Sequence, residues 1–520
     1  MVCQNLTLTN YTYMNYLRLK NYRCFKDTGK IPIKPLTFLV GANSSGKSSF
    51  LKFFPLLKQS LPQKRRGLFL WNGDFVDFKD FQNTLRKVKV DNQNEEHCQT
   101  MEISFDLENV SIVRRMRTNK DTIDKIELTL TLSQEQEEHY DKLDKLIIRF
   151  PEQCISCLFI PKDDNVTIQI GSLTSESIKE KIKFNMTNGL LPRFTFAKGN
   201  RIGDESYACI EKMMVIAEKY QIRAQTSNRF LYYPLYATIA PNKERTKILI
   251  RKNWKVEISE EDLNTIFDLL YFYNLNNIID TININMFRLA GNITYIGPLR
   301  ETTERYYRFQ NLAVDEIDPD GSNLAMYLYN LSTEDRDKLN EWISSIFEFK
   351  INVKSDGGHV ELDIIEKGNL EQNLIDVGFG YTQILPILVG IWKILNKDTL
   401  LVNREKEQWE MVEHIIAIEQ PELHLHPRMQ AKLGILLVKV IKEAEKYQEK
   451  FRFIIETHSE TLLNKIGELI ALEKIRQEDV SVVLFNAEQE GMEKEVELAG
   501  YSENGFLTNW PINFFAEDVD

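Results

Sequence analysis

The chain of 520 residues lacks the features that mark several classes of protein. It has no apolar run of about eighteen residues, and it does not open with a basic segment followed by an apolar run, so we expect neither a membrane span nor a secretory signal. Only six cysteines are present, and they are too scattered to form a disulfide framework. These absences predict a cytoplasmic protein with reduced thiols.

A surplus of positive charge is also missing. The chain carries 65 Lys and Arg residues against 76 Asp and Glu residues, for a formal net charge of -11. This balance excludes a uniformly basic nucleic-acid binder, although a local basic surface could still contact DNA. No heptad pattern persists, so a long coiled-coil rod is not expected. The composition, 43% hydrophobic and 27% charged, is that of a folded protein with more than one domain.

The clearest motif lies near the N-terminus and has the form G-x-x-x-x-G-K-[ST]. It follows residues 36–40, which form an apolar run typical of a buried strand, and it precedes apolar residues at helical spacing. Backbone N–H groups of such a loop surround a phosphate chain, while the lysine reaches the β- and γ-phosphates and the adjacent hydroxyl binds Mg2+. The motif therefore predicts a site for ATP and Mg2+, with Ser48 as a metal ligand. The predicted phosphate-binding residues are Gly41, Ala42, Asn43, Ser44, Ser45, Gly46, Lys47, Ser48 and Ser49.

Two later apolar runs end in polar residues of the kind that this site needs. Residues 414–418 form an apolar strand followed by Glu419, which we predict to be the second metal ligand. Residues 453–455 form another apolar run, and His458 follows shortly after it. An imidazole at the end of such a strand can donate to the γ-phosphate or to the attacking water.

A further segment, residues 374–383, places two glycines at the start of a predicted helix. Its backbone can bind an anion, and nearby polar side chains can add hydrogen bonds. Taken alone, the pattern is that of an ordinary loop-to-helix junction. The candidate nucleotide contacts in this segment are Gly378, Gly380, Thr382 and Gln383.

Read in order, these motifs resemble the ABC-type ATPases related to SMC and RecF proteins and to the overcoming-lysogenisation-defect (OLD) family. The resemblance implies an α/β fold, with an ABC-type ATPase head made from residues 1–60 and 291–520. Between these parts, strand-like alternation and helical stretches predict a mixed α+β insertion lobe at residues 61–290, which the resemblance does not cover. The resemblance also implies that the Gly378 segment is the signature that contacts ATP bound by another subunit. Two heads would then enclose the nucleotides, and His458 looks like the switch histidine of this family.

The sequence departs from this family where the base for hydrolysis is expected. Family members often carry a second acid directly after the magnesium ligand, and here that position is Gln420. Either Glu422 acts as the base instead, or hydrolysis is slow and ATP mainly holds a conformation. The candidate catalytic residues are therefore Glu422, Gln420 and His458.

The stretch after His458 is shorter than we expect for the Toprim nuclease domain of OLD enzymes. Residues 509–515 and the acidic tail after them resemble the C-terminal segment of stand-alone ATPase subunits of bacterial anti-phage systems of the Septu-like or PARIS-like kind. Such a protein would oligomerise around ATP and regulate a separately encoded effector, such as a nuclease. Two alternatives stay open: a RecF-like clamp that repairs DNA, and a scaffold that binds ATP without hydrolysing it. Basic clusters at residues 64–66 and at Arg114, Arg115 and Arg117 can contact DNA, although short basic runs are usually solvated faces.

Overall fold

A computed structural model describes most of the chain, and its described residues fall into two compact units. The first unit comprises the described parts of residues 1–30 and 56–291, and the second those of residues 31–55, 292–409 and 413–520. Among the helices within these residues, none combines the length and apolar character that a membrane crossing needs. The described residues are 12–91, 94–112, 122–134, 140–162, 165–179, 181–186, 189–198, 201–222, 242–298, 304–308, 314, 316–366, 368, 371–401, 413–446, 449–486 and 496–510.

The first unit consists of antiparallel strands and five helices in its described part. Its strands are β1 (Tyr16–Tyr22), β2 (Phe25–Asp27), β5 (Lys87–Asp91), β6 (Asn94–His97), β7 (Thr100–Ser111), β8 (Thr122–Gln134), β9 (Asp141–Phe150), β10 (Ile155–Lys162), β11 (Asn165–Ile170), β12 (Leu173–Thr174), β13 (Lys181–Asn185), β14 (Arg193–Lys198) and β15 (Arg201–Gly203). Its helices are α3 (Ser175–Ile178), α4 (Tyr207–Lys219), α5 (Lys243–Trp254), α6 (Glu260–Tyr273) and α7 (Leu275–Gly291), with short 3-10 helices at Gln82–Thr84 and Pro151–Gln153.

The main sheet of this unit follows from alternating sequence patterns. Strands β12, β11, β10, β9, β8, β7, β1 and β2 are neighbours in that order. On β8, Ile126, Leu128 and Leu130 are buried while the residues between them are partly exposed, as expected for a strand with one face on a core.

Asn276 and Asn283 of α7 hydrogen-bond the backbone at Phe194 and Leu191, so polar side chains also hold this helix in place.

The basic cluster at residues 64–66 does not form a uniform surface for DNA. Arg65 turns inward and donates to the carbonyl oxygens of Leu68 at 2.6 Å, Ser60 at 2.7 Å and Gly189 at 2.9 Å. A guanidinium used in this way holds a loop in place, whereas Lys64 and Arg66 beside it are exposed, so DNA contact by this cluster stays a hypothesis. The second cluster, Arg114, Arg115 and Arg117, lies outside the described residues.

The second unit is an α/β structure. Its strands are β3 (Ile31–Pro32), β4 (Leu36–Gly41), β16 (Ile293–Ile296), β17 (Tyr307–Arg308), β18 (Phe349–Asp356), β19 (His359–Glu366), β20 (Glu371–Asn373), β21 (His414–Glu419), β22 (Phe451–Glu456), β23 (Val480–Phe485), β24 (Val496–Tyr501) and β25 (Leu507–Thr508). Its helices are α1 (Lys47–Leu51), α2 (Phe53–Ser60), which begins in this unit, α8 (Leu324–Asn330), α9 (Thr333–Phe347), α10 (Phe379–Leu401), α11 (Pro427–Lys446) and α12 (Glu460–Ala471), with a 3-10 helix at Gln477–Asp479.

The central sheet of the second unit has the strand order β16-β21-β22-β4-β23-β24-β25. The first five strands are parallel, and β24 and β25 are antiparallel additions at one edge. Strands β4 and β22 are buried at every position, as expected for central strands of a parallel sheet. The carboxyl ends of β21, β22 and β4 therefore meet at one edge, where open α/β sheets bind their ligands.

The predicted fold class is confirmed: the head is α/β, and the segment between its two parts in the sequence is mixed α+β. One boundary differs from the prediction. Residues 12–30 group with the first unit and not with the head, because β1 pairs antiparallel with β7, with Leu17 opposite Phe105. Periodicity indicated the strand but could not indicate its partner, which lies more than eighty positions away.

The turn between β24 and β25 packs closely against the backbone of α12. Gly505 has a φ of 77°, and a Cβ added there would stand 1.9 Å from the carbonyl oxygen of Gly467 on α12. We expect Gly505→Ala to lower the free energy of unfolding by about 2–4 kcal/mol, because backbone atoms must separate. Gly500→Ala, whose Cβ would meet its nearest atom at 3.7 Å, is the matched control. Urea denaturation measures both, and equal losses would contradict the prediction.

Candidate nucleotide-binding site

The phosphate loop connects the end of β4 to the start of α1. Gly46 lies directly before α1 at φ 111°, a conformation that residues with a Cβ rarely adopt. At the other end of the loop, a Cβ on Gly41 would stand 2.2 Å from the carbonyl oxygen of Phe485. Both glycines of the motif are therefore required by the backbone. Between them, Ala42, Asn43 and Ser44 are exposed, so the tip of the loop is open to solvent.

Lys47 is 3% exposed and lies folded against its own loop. Its Nζ donates to the carbonyl oxygens of Gly41 at 3.0 Å and Ala42 at 2.7 Å, and it lies 4.0 Å from Oε1 of Glu456. Burial lowers the pKa of this lysine, whereas the nearby Glu456 and Glu422 raise it. The ammonium group therefore lies against the phosphate loop. Phosphate oxygens can replace the carbonyl oxygens and the carboxylate that now hold it.

Glu419 ends β21 and is buried. Its Oε1 accepts a hydrogen bond from the hydroxyl of Tyr295 at 2.8 Å and lies 3.8 Å from Nζ of Lys52. Tyr295 belongs to β16, the parallel neighbour of β21, so the sheet itself fixes the position of this carboxylate. Neither Tyr295 nor Lys52 was predicted as a site residue.

Glu456 is a second acid at the same edge of the sheet, and the sequence analysis did not predict it. It ends β22 and lies directly beside Glu419 in the strand register. The hydroxyl of Ser48 hydrogen-bonds its carboxylate, and burial raises its pKa against the lowering effects of Ser48, Lys47 and Lys52. Within the part of the chain that the structure describes, its Oε2 is buried and has no hydrogen-bond partner. The apolar run that ends in this acid resembles the run before Glu419, and that likeness was the available signal.

Glu422 and His458 meet at the turns after β21 and β22. The backbone N–H of His458 donates to Oε1 of Glu422 at 2.6 Å. Burial raises the pKa of Glu422, an effect that the His458 N–H opposes. The pKa of the His458 side chain is lowered by partial burial and by the charge of Lys47, which favours the neutral imidazole. The structure thus brings these two predicted residues together.

Gln420, the third candidate catalytic residue, is the first residue after β21. Its φ of 43° is unusual for a residue with a side chain, and its backbone N–H donates to the carbonyl oxygen of Glu456 at 2.9 Å. This bond ties the turn after one strand to the end of the next. The catalytic role of its side chain stays a prediction.

The Gly378 segment leads into α10. Gly378 has a φ of 94°, and Phe379, the first helical residue, is 65% exposed. Thr382 and Gln383 are both buried, and the Thr382 hydroxyl donates to the carbonyl oxygen of Phe379 at 2.8 Å. This placement does not suit the direct contacts with another subunit's nucleotide that the sequence predicted for these two side chains. The backbone from Gly378 to Gly380 is the part of the segment that faces outward.

Three oxygen-bearing side chains, on α1 and at the ends of β21 and β22, are of the kind that binds Mg2+. The Ser48 hydroxyl and the carboxylates of Glu419 and Glu456 are the hard donors that this cation prefers. Among the described residues, no group of three or more His, Cys, Asp or Glu side chains is placed to hold a metal ion. A cation here would therefore depend on phosphate oxygens and water as well, as expected for Mg2+ that arrives with ATP.

The strand–loop–helix and the parallel sheet around it define a P-loop protein of the α/β class. A family model for the AAA ATPase domain matches residues 13–463, most of the chain. The protein therefore belongs to the AAA ATPase domain family. No curated protein sequence matches the chain.

Several solved structures are similar to this chain at low sequence identity. The Smc head domain from Pyrococcus furiosus, with an extended coiled coil and bound to the C-terminal domain of ScpA, is 10% identical, with a TM-score of 0.34 over 94% of this chain and 96% of that chain. The SMC head domain from Thermotoga maritima is 10% identical, with a TM-score of 0.35 over 94% and 99%. The Smc head domain from Pyrococcus yayanosii is 9% identical, with a TM-score of 0.35 over 95% and 98%.

Proposed function

We propose that this protein is an ABC-type ATPase that binds and hydrolyses ATP with Mg2+, and whose heads associate in pairs or larger oligomers around the nucleotide. We further propose that this association regulates a separately encoded effector, such as a nuclease, in bacterial anti-phage defence. The observation that supports the ATPase proposal is that the region of the phosphate loop lies against the paired acids at the ends of β21 and β22. Nζ of Lys47 lies 4.0 Å from Glu456, and Nζ of Lys52 lies 3.8 Å from Glu419.

Each residue at this edge of the sheet has a separate role in the proposed reaction. The loop N–H groups and Lys47 bind the phosphates, and Ser48 and Glu419 would hold Mg2+, which would supply positive charge beside the β- and γ-phosphates. Glu422 accepts a proton from the attacking water as the water oxygen bonds to the γ-phosphorus and the bond to the β-phosphate oxygen breaks, which releases ADP. The neutral His458 side chain donates to a γ-phosphate oxygen. A slow turnover is consistent with the missing acid at Gln420.

The oligomer proposal is supported by the exposed start of α10. Gly378 has no atom near its Cβ position, and Phe379 and Ile375 are 65% and 44% exposed. An apolar surface beside an outward-facing helix N-terminus suits contact with a second head that presents bound ATP. ATP would then favour the associated state because its γ-phosphate is contacted from both sides only there.

A substitution at Phe379 tests this association. We expect Phe379→Glu to weaken ATP-dependent association at least about tenfold, because a charge replaces an apolar contact, while the affinity of the single head for ATP changes less than about twofold. Light scattering with and without ATP measures the mass, and a fluorescent ATP analogue measures binding. Phe506→Glu, at a residue that is 72% exposed in the same unit, is the matched control. Association that is unaffected by Phe379→Glu, or is equally lost in the control, contradicts the proposal.

The effector proposal is tested by purifying the protein with and without the product of the adjacent gene. Mass and ATP turnover are compared for the wild type and for Lys47→Ala. A stable complex whose effector activity depends on Lys47 supports the proposal. Replication or recombination genes beside this gene, with salt-sensitive and ATP-dependent binding of duplex DNA, would favour the repair clamp. Assembly with ATP but no phosphate release would favour the scaffold.

A further inference from the structure

We propose that Glu456 is a second carboxylate ligand of the Mg2+ bound with ATP, beside Glu419, and that Lys52 supplies the positive charge at this place when the cation is absent. The inference rests on the proposed ATPase function and adds to it a ligand and an exchangeable counterion. Neither residue belongs to the glycine loop, and neither was singled out by the motifs in the sequence.

The two carboxylates are neighbours because of the strand register. Glu419 and Glu456 are paired positions on the parallel strands β21 and β22, and paired residues on adjacent strands, about 4.8 Å apart, point to the same face of the sheet. Each of the two residues is only 3% exposed. Two buried acids at this separation repel each other unless positive charge lies between or beside them.

The hydrogen bonds of Glu456 direct it to the metal position. The Ser48 hydroxyl, the ligand that the glycine-loop motif assigns to Mg2+, hydrogen-bonds the Glu456 carboxylate. Oε2 of Glu456 is buried and has no hydrogen-bond partner among the described residues. An unpaired buried carboxylate oxygen is costly. A cation that binds Ser48 would lie within reach of this oxygen and would remove the cost.

Lysine side chains supply positive charge beside the two acids. Nζ of Lys52 lies 3.8 Å from Oε1 of Glu419, and Nζ of Lys47 lies 4.0 Å from Oε1 of Glu456. When ATP binds, Lys47 is needed at the phosphates, so the acids lose one of their two positive partners. Mg2+ replaces that charge. Lys52 is 35% exposed and can move into solvent to make room for the cation.

The test measures cation binding directly with Mn2+, which replaces Mg2+ at oxygen sites and is detected by electron paramagnetic resonance. The protein is saturated with a non-hydrolysable ATP analogue and titrated with Mn2+. We expect Glu456→Gln, which keeps an acceptor for Ser48 but removes the charge, to weaken Mn2+ binding at least about tenfold. Binding of the analogue in EDTA, where no cation is present, should not weaken.

Two further variants sharpen the test. Lys52→Met removes the competing ammonium and should strengthen Mn2+ binding by about two- to fivefold, the size of a half-exposed ion pair. Asp363→Asn, at a buried acid on β19 that pairs with Lys354, in another sheet of the same unit, is the matched control and should leave Mn2+ affinity within about twofold of the wild type. Circular dichroism confirms that each variant is folded.

The outcomes separate this inference from the proposed function. Wild-type protein that binds neither ATP nor the analogue overturns the ATPase proposal. Wild-type protein that binds the analogue, together with a folded Glu456→Gln variant whose Mn2+ affinity equals that of the wild type, overturns the ligand assignment alone. A Lys52→Met variant that binds Mn2+ more weakly than the wild type overturns the role given to Lys52, and this variant stays informative if Glu456→Gln does not fold.

Discussion

Lys47→Ala should remove ATP binding, with a rise in Kd of at least about a hundredfold, because two charge-assisted hydrogen bonds to phosphate are each worth about 1.5–3 kcal/mol. The side chain is almost fully buried, and among the described residues its partners are the carbonyl oxygens of Gly41 and Ala42 and, at 4.0 Å, the carboxylate of Glu456. We therefore expect the free energy of the complex to fall when phosphate oxygens replace these partners of Lys47. Titration with a fluorescent ATP analogue measures the change in Kd.

Lys465→Ala is the control for this experiment. Lys465 lies on α12 in the same unit and pairs with Glu468 at 2.8 Å, so its loss removes a lysine without touching the phosphate loop. We expect its Kd for ATP to stay within about twofold of the wild type. Nucleotide affinity that survives Lys47→Ala would show that the glycine loop is not the ATP site, and the proposed function would then fail at its first step.

The head of the fold could be predicted because its motifs are local. The glycine loop carries its own strand and helix signals over a few residues, and the run before Glu419 is apolar enough to mark a buried strand. Parallel strands at the centre of a sheet are apolar on both faces, so their sequences are recognisable without knowledge of their partners. The meeting of Lys47 and Glu419 at one edge then followed from the rule that ligands bind at the carboxyl ends of such strands.

The parts that could not be predicted depend on pairing between distant residues. Tyr295 reaches Glu419 only because β16 lies beside β21, and Glu456 joins the site only because β22 lies between β21 and β4. The apolar run before His458 predicted the position of the histidine, but that run alone did not identify Glu456, the acid that ends the strand, as a site residue. Arg65 shows the same limit. The sequence reveals the basic run 64–66, but it does not reveal the backbone carbonyl oxygens that accept hydrogen bonds from Arg65.

Glu422→Gln should slow ATP hydrolysis by about a hundredfold to ten-thousandfold, the range that a general base contributes. Oε1 of Glu422 accepts a hydrogen bond from the backbone N–H of His458 at 2.6 Å, and no described residue hydrogen-bonds its buried Oε2. Glutamine keeps an oxygen for the His458 N–H but cannot take a proton from water. Single-turnover phosphate release with saturating ATP and Mg2+ measures the rate, and Glu422→Ala, which removes both functions, is measured beside it.

The ranking of the two variants distinguishes a base from a residue that only positions the turn. If Glu422 is the base, the Gln and Ala variants are both slow. If Glu422 only positions the turn, the Gln variant is near the wild-type rate and the Ala variant is slow.

The pH profile of the hydrolysis rate gives a second criterion. Burial raises the pKa of Glu422, and a base acts only when ionised, so the wild-type rate should increase with pH through that raised pKa. This increase should be missing from the residual activity of Glu422→Gln, and its persistence would assign the proton transfer to another group.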